Sequence, residues 1–460
     1  MTAPAFESSP GSAPDIIAAV STAAGVGAVS IIRLSGRGVL GILDRVFEKN
    51  RTGPFEPRRM YFGRLRDPDN HSLVDEALAV FFDGPRSFTG EDMVEIQGHG
   101  GLAVTALALK TVIKAGARLA EAGEFTRRAF FNDRLDLTQA EAMADLIGAR
   151  GEAEALLAAR QLEGGLSSRI KIIHETVFTS LVELTADIDF SDDLQPLNLE
   201  ALSGGLAAGV LPALEKLLED ARAGRPYREG LKLALVGAAN VGKSSLFNAL
   251  AGSDRAMVSP APGTTRDFIT AAAAWDGLSI ELCDTAGLSE QPLDELDALG
   301  QRRSLDQLAA ADLVLWIRDA LRPGESGIDP AVLPSGRSIE VWNKIDSALP
   351  PPDEGRFPRV EVSAKNKLGL DKLKALILKT ATGRDDPTPP EVVPNLRHQA
   401  ALSEAAAYIK ATIGAVSEGQ PPDICALELK SALKALDRIG GRTTPDDILS
   451  GIFSRFCLGK

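Results

Sequence analysis

The chain has 460 residues, 44% of them hydrophobic, and a formal net charge of −13. That length exceeds a single core and predicts several domains, while the acidic balance excludes coating nucleic acid through bulk charge. Three scattered cysteines, Cys283, Cys425 and Cys457, exclude a disulfide framework or a zinc cluster and fit a reducing cytoplasm.

The opening stretch, MTAPAFESSPGSAPD, lacks the basic and apolar regions of a secretory signal and reads as a short disordered leader. Strand-like runs follow at 28–35, 60–65, 76–82 and 93–98, with helical runs at 38–47 and 102–115. They predict a compact α+β domain over residues 1–133. Beyond it, Leu166, Ile170, Ile173, Val177, Leu181, Leu184 and Ile188 step by four and three alternately. That spacing puts them on one stripe of a long helix packed against other helices. The same stepping returns at Leu402, Ala406, Ile409, Ile413 and Val416. Between the two lie joins rich in Gly, Pro and charge, at 222–230 and 383–394. The predicted fold is multidomain α/β and α: an N-terminal α+β domain and a discontinuous helical domain (134–228 and 384–460). A P-loop, Ras-like G domain (229–383) is inserted into the latter, as close chain ends permit. No uninterrupted apolar run reaches the ~18 residues of a membrane span, so no membrane partner is expected.

The inserted segment carries the strongest chemistry. GAANVGKS (237–244) sits between a buried strand and a helix, the setting of a phosphate-binding loop. PGTTRD (262–267), DTAG (284–287), NKID (343–346) and SAK (363–365) follow in order. One glycine-rich loop is a common accident, but five ordered motifs predict GTP binding and hydrolysis. Asn240, Val241, Gly242, Lys243, Ser244 and Ser245 would cradle the phosphates, with Lys243 bridging the β- and γ-groups and Ser244 holding Mg²⁺. Thr265 would close over the γ-phosphate and also reach Mg²⁺, and Ser259 and Thr264 are counted among the expected GTP-binding residues. Asp284 would point toward the metal, and Thr285, Ala286 and Gly287 would sense the γ-phosphate. Asp346 would accept two hydrogen bonds from guanine that adenine cannot donate. Asn343, Lys344, Ser363, Ala364 and Lys365 would brace the base, with the Ala364 amide reaching guanine O6. Leu288 follows the DTAG glycine, so the usual water-orienting Gln is missing, and no internal arginine finger is evident. Cys283 and Cys425 read as core. His99 reads as a packed or hydrogen-bonded histidine before a catalytic one.

NVGKS, PGTTRD and the terminal FCLGK (456–460) together resemble the tRNA-modification GTPases of the MnmE/TrmE family. RLSG (33–36), SFTGED (87–92), QGHGG (97–101), GEFTRRAF (123–130) and NDRLDLTQAEA (132–142) extend the resemblance along the N-terminal region. It implies that this domain dimerises and binds a 5-formyl-tetrahydrofolate or related one-carbon folate. It also implies an FAD-dependent partner subunit in a heterotetramer that modifies C5 of wobble uridine in tRNA with a carboxymethylaminomethyl-type group. It implies K⁺ in place of an arginine finger, with ligands mapping onto Asn240, Ser259, Ala261 and Thr264. Folate contacts map onto Arg33, Glu95, Arg134 and Lys460. The water-orienting acid maps onto Asp297 in DELDALG (294–300), with Glu295 as the alternative. Cys457 is either a terminal small hydrophobe or, by the resemblance, a thiolate acting near the folate. The rival function is a GTPase switch serving as a non-catalytic RNA or ribosome assembly factor, which leaves FCLGK without a role.

Overall fold

The computed structural model describes residues 15–190, 197–252, 269–275, 277–284, 308–384, 388–441, 443–454, 456 and 459. The chain divides into two compact units, one of residues 1–144 with 434–460 and the other of residues 145–433.

The first unit is built on a seven-stranded sheet of β1 (Ile17–Val20), β2 (Val29–Ser35), β3 (Phe47–Lys49), β4 (Met60–Arg66), β5 (Leu73–Phe82), β6 (Met93–His99) and β7 (Arg118–Leu119). Their order is β3-β4-β5-β6-β2-β1-β7, antiparallel except for β1 beside β7. Alternation along β2 and β6 sends Ile32, Leu34, Val94 and Ile96 to one face, where they pack with α1 (Val39–Val46) and α2 (Leu102–Lys114). Arg33 and Glu95 alternate to the other face, where Ile17, Ala19, Ala120 and Phe125 form a smaller cluster with Phe88. On that side lie α3 (Glu124–Phe131) and α4 (Leu137–Gly148). The strands of 15–133 thus fall where alternation predicts, but β1, β3 and β7 go unsignalled because each has four residues or fewer.

The second unit combines helices with a six-stranded sheet. Helices α5 (Glu152–Leu162) and α6 (Gly165–Asp189) come first. The expected stripe of α6 is buried from Leu166 to Leu184, whereas Ile188 is half-buried near the helix end. Then α7 (Leu199–Gly205), a π-helical turn (Leu206–Val210) and α8 (Leu211–Glu229) form one continuous run. The predicted join at 222–230 is therefore helix: tertiary packing overrides Gly224 and Pro226, which are buried with Tyr227. Among the described residues, 199–229 is the one helix long and apolar enough by composition to cross a membrane, with mean hydropathy 1.3. Leu206, Val210, Leu214 and Leu217 are buried, and its partner is the helix at 396–417. Buried Asp220 pairs with Arg384 at 2.8 Å.

The sheet comprises β8 (Leu231–Val236), β9 (Ile269–Trp275), β10 (Leu278–Asp284), β11 (Leu313–Asp319), β12 (Ser338–Asn343) and β13 (Arg359–Glu361), with α9 (Lys243–Ala251) and α10 (Leu370–Thr382). The order is β13-β12-β11-β8-β10-β9, parallel except at β9. The chain leaves β8 to both sides, which makes its C-terminal end the switch point where such sheets bind ligands. Helices α11 (Leu396–Ser417), α12 (Pro422–Gly440) and α13 (Asp446–Phe453) complete the chain. In α11, Leu402, Ala406 and Ile409 of the predicted stripe are buried, while Ile413 and Val416 are half-buried.

Candidate nucleotide and tail sites

The loop at 237–242 leaves β8 and enters α9 with three residues of positive φ: Gly237 (150°), Asn240 (63°) and Gly242 (96°). A Cβ on Gly242 would strike Asn343 Nδ2, so only glycine permits this approach. The Lys243 ammonium donates to the carbonyls of Gly237 (2.9 Å) and Ala238 (2.8 Å). It lies folded back on the loop that would cradle phosphates. Ser244 and Ser245 are exposed in the first turn of α9, and Val241 is buried beneath it. A hydroxyl and the backbone N–H groups of a helix start suit a magnesium-bound polyphosphate.

The residues expected to recognise the base meet this loop from the end of β12. Asn343 Nδ2 donates to the carbonyl of Val241 at 2.9 Å, and Lys344 Nζ donates to that of Asn240 at 2.8 Å. Asp346 is exposed, and the Ser363 and Ser347 hydroxyls donate to its two oxygens at 2.6 and 3.0 Å. Those bonds, Ser363 first, hold its carboxyl below the usual aspartate range. An ionised acceptor at the site's edge is what guanine N1–H and N2–H require. The Ala364 amide, expected at guanine O6, instead donates to Asn343 Oδ1 at 3.0 Å. Lys365 follows it, exposed. Sequence reasoning passed over Ser347, Asp319 and Gly327, all of which touch these loops. Only Ser347, adjoining NKID, had a positional signal.

Strand β10 carries Cys283 and ends at Asp284. Cys283 is half-buried rather than core, and desolvation pushes its thiol up. Cys425 is fully buried, as expected. Ser259, Ala261, Thr264, Thr265, Thr285, Ala286, Gly287, Glu295, Asp297, Cys457 and Lys460 lie outside the described residues.

On the second face of the N-terminal sheet, Arg33 and Glu95 are cross-strand partners and form an ion pair at 2.8 Å. The Arg33 guanidinium also lies 5.3 Å from the Phe88 ring centre and 5.9 Å from that of Phe125. Paired charges beside the half-buried Phe88 ring, with Phe125 buried beneath, suit a flat, polar, partly aromatic ligand such as a pterin. Arg134 Nε donates to the Ser87 carbonyl at 3.1 Å, fixing the 87–92 loop beside the pair. The chain terminus reaches the same sheet. Phe453 and Phe456 pack with Leu137 and Ala140, and Ser21 Oγ donates to the Gly459 carbonyl at 3.1 Å. Gly459 has φ 94° and sits against the Val20 carbonyl, leaving no room for a Cβ. His99 is exposed and bonded through Nδ1 to Asp75 at 2.6 Å, the hydrogen-bonded histidine expected.

Known proteins resemble this chain along most of its length. A family model described as the MnmE helical domain matches residues 137–457, and one described as the GTP-binding protein TrmE N-terminus matches residues 16–134. The tRNA modification GTPase MnmE of Geobacter sulfurreducens is 41% identical over 454 residues, covering 97% of this chain and 99% of its own length. That of Roseiflexus castenholzii is 40% identical over 466 residues, with the same coverage. Among solved structures, the G domain of the T. maritima FeoB iron transporter is 30% identical, with a TM-score of 0.26, over 33% of this chain and 98% of that one.

Proposed function

Since the chain belongs to the MnmE family of tRNA-modification GTPases, we propose that it is the GTP-hydrolysing subunit of a folate-using complex acting on wobble uridine. An FAD-dependent partner would complete a heterotetramer around a dimer formed through the N-terminal domain. The complex would add a carboxymethylaminomethyl-type group to C5 of the base, working in the cytoplasm with no membrane involved.

Residues 237–245, 343–346 and 363–365 would hold GTP, with Lys243 leaving the Gly237 and Ala238 carbonyls for the β- and γ-phosphates. Bound Mg²⁺ would supply charge neutralisation, held by Ser244 and Thr265. Asn240, Ser259, Ala261 and Thr264 would ligate K⁺. Asp297, or Glu295, would orient the attacking water, and Asp284 to Gly287 would respond to the γ-phosphate. Arg33, Glu95, Arg134 and Lys460 would bind the folate, and the Cys457 thiolate would act beside it.

The observation that supports the folate half is the Ser21–Gly459 hydrogen bond. It ties the chain terminus, two residues from Cys457, to the sheet that carries the Arg33–Glu95 pair. The experiment is a Cys457→Ser variant analysed by mass spectrometry of wobble uridines, with GTP turnover measured in parallel. Modification is expected to vanish while turnover in K⁺ persists several-fold above that in Na⁺. Full modification by the Ser variant would remove Cys457 from the chemistry. Equal turnover in the two salts would remove the potassium ligands.

A further inference from the structure

β11 ends on a buried carboxylate that none of the five nucleotide motifs includes. Asp319 is 3% exposed, an expensive place for a charge unless it is paired. Its partner is Lys344, whose ammonium donates to Asp319 Oδ2 at 2.6 Å. The second oxygen, Oδ1, accepts from the Leu321 amide at 2.9 Å. The next residue along, Ala320, donates its amide to the Asn343 carbonyl at 3.0 Å. β11 and β12 are thus joined at their C-terminal tips by one ion pair and one backbone bond, just where NKID begins.

The same ammonium donates to the carbonyl of Asn240. Asn240 and Lys344 both adopt left-handed backbone, with φ of 63° and 65°. Such residues persist where the surroundings over-determine them, and here a single Lys344 ammonium ties both. Two of its three donors are spent, which leaves one for a nucleotide.

We propose that Asp319 is a positioning residue for guanine-nucleotide binding: its carboxylate holds Lys344, and through Lys344 the carbonyl of Asn240, so that the base-recognition and phosphate loops are set as one piece. The inference rests on Lys344 belonging to the base site as proposed above. Asp319 itself touches no nucleotide; it acts through the ammonium. Removing its charge frees Lys344 to swing out and releases the tip of the phosphate loop, which weakens binding first and foremost.

The test is a double-mutant cycle on the full chain with Asp319→Asn, Lys344→Met and both together. The readouts are GDP affinity with a fluorescent GDP analogue, KM and kcat for GTP, and the melting midpoint without nucleotide. Asp319→Asn should weaken GDP and raise KM about tenfold, the scale of one charge-assisted hydrogen bond, a larger change than any in kcat. In the Lys344→Met background it should add nothing. Unchanged affinity in Asp319→Asn, or effects of the two substitutions that simply multiply, would overturn the proposal. Normal GDP binding by Lys344→Met alone would overturn the reading of the base site, and this inference with it. Should Asp319→Asn fail to fold, Asp319→Glu keeps the charge but displaces it by one methylene: KM should rise severalfold and that rise should vanish in the Lys344→Met background, whereas a rise that survives there would overturn the proposal.

Discussion

In the proposed reading, selection of the base comes down to the donors around one carboxylate. The Ser363 and Ser347 hydroxyls pin Asp346 with both oxygens in use and its pKa lowered. A guanine would add N1–H and N2–H to that acceptor. In Asp346→Asn one oxygen becomes an NH₂, which repels guanine N2–H but suits the 2-oxo group of xanthine. Loss of about 10²-fold in GDP affinity is expected, from two charge-assisted bonds, with a gain for xanthosine diphosphate. Competition titration of the two nucleotides checks it; an unchanged ranking would move base selection elsewhere. Asp346 could be read from the sequence because NKID and SAK are local patterns. Asp319 could not, because its partner stands 25 positions away and only strand order brings them together.

Parallel neighbours usually need a helical crossover, yet residues 320–337, between β11 and β12, hold only turns and a single 3₁₀ turn at Pro330–Val332. The segment is held by side chains on β11 instead. Trp316 Nε1 donates to the Ser326 carbonyl at 3.0 Å, and Arg318 donates to that of Pro323 at 2.5 Å. Arg318 lies between Trp316 and Trp342, with its guanidinium 4.6 and 4.3 Å from their ring centres, and pairs with Glu340. This bracing presses Gly327, at φ 69°, against the Ala238 amide, where a Cβ would collide with the phosphate loop. Gly327→Ala should therefore cost roughly 1–3 kcal/mol of overpacking and strain. Part of that cost should emerge as a nucleotide affinity reduced by about tenfold, read by titration alongside thermal melting. Wild-type affinity would mean that the segment yields and the loop does not. The sequence offered no hint of this contact, since a glycine among Pro, Ser and Glu reads simply as loop. It likewise misled at 222–230, where Gly224 belongs inside a helix because the Val393 side chain occupies the space of its missing Cβ.

Across the whole molecule the two units are stabilised differently. The second unit rests on one large apolar cluster shared between sheet and helices, with Ala153, Leu157, Tyr227 and Val393 joining the strand residues. Its β9–β10 turn is tied to the start of α5 by the Ala153 amide donating to the Gly277 carbonyl at 3.1 Å. Hence the strand ending in Asp284 begins against a helix outside the nucleotide fold. The first unit carries an ionic network in which Arg118 and Arg128 both grip Asp15 and Glu124. The hydrogen bond from Arg118, ahead of the charge of Arg128, holds the Asp15 carboxyl below its ordinary 3.8. A depressed carboxylate stabilises the fold above its unfolded pKa and loses that contribution as pH falls through the folded value. Asp15→Asn should thus lower the melting midpoint by only about 1–3 °C at neutral pH, because the pair is partly exposed. The difference from wild type should close as pH falls beneath the ordinary aspartate range and through the depressed folded value. A gap that stays constant with pH would show that the effect is not ionic. Domain architecture and family were legible from motifs that repeat known spacings. The network was not, because its members are scattered from residue 15 to residue 128.

The stack of Trp316, Arg318 and Trp342 has an optical corollary. The chain's three tryptophans are Trp275, Trp316 and Trp342, and all stand on strands of the nucleotide-binding sheet. Light absorbed at the red edge of the protein band therefore excites this sheet alone, with every helix and the whole first unit dark. A guanidinium against two of the indoles makes their emission sensitive to any shift of β11 against β12. The native molecule thus carries its own label for the tips of those strands, with no dye attached.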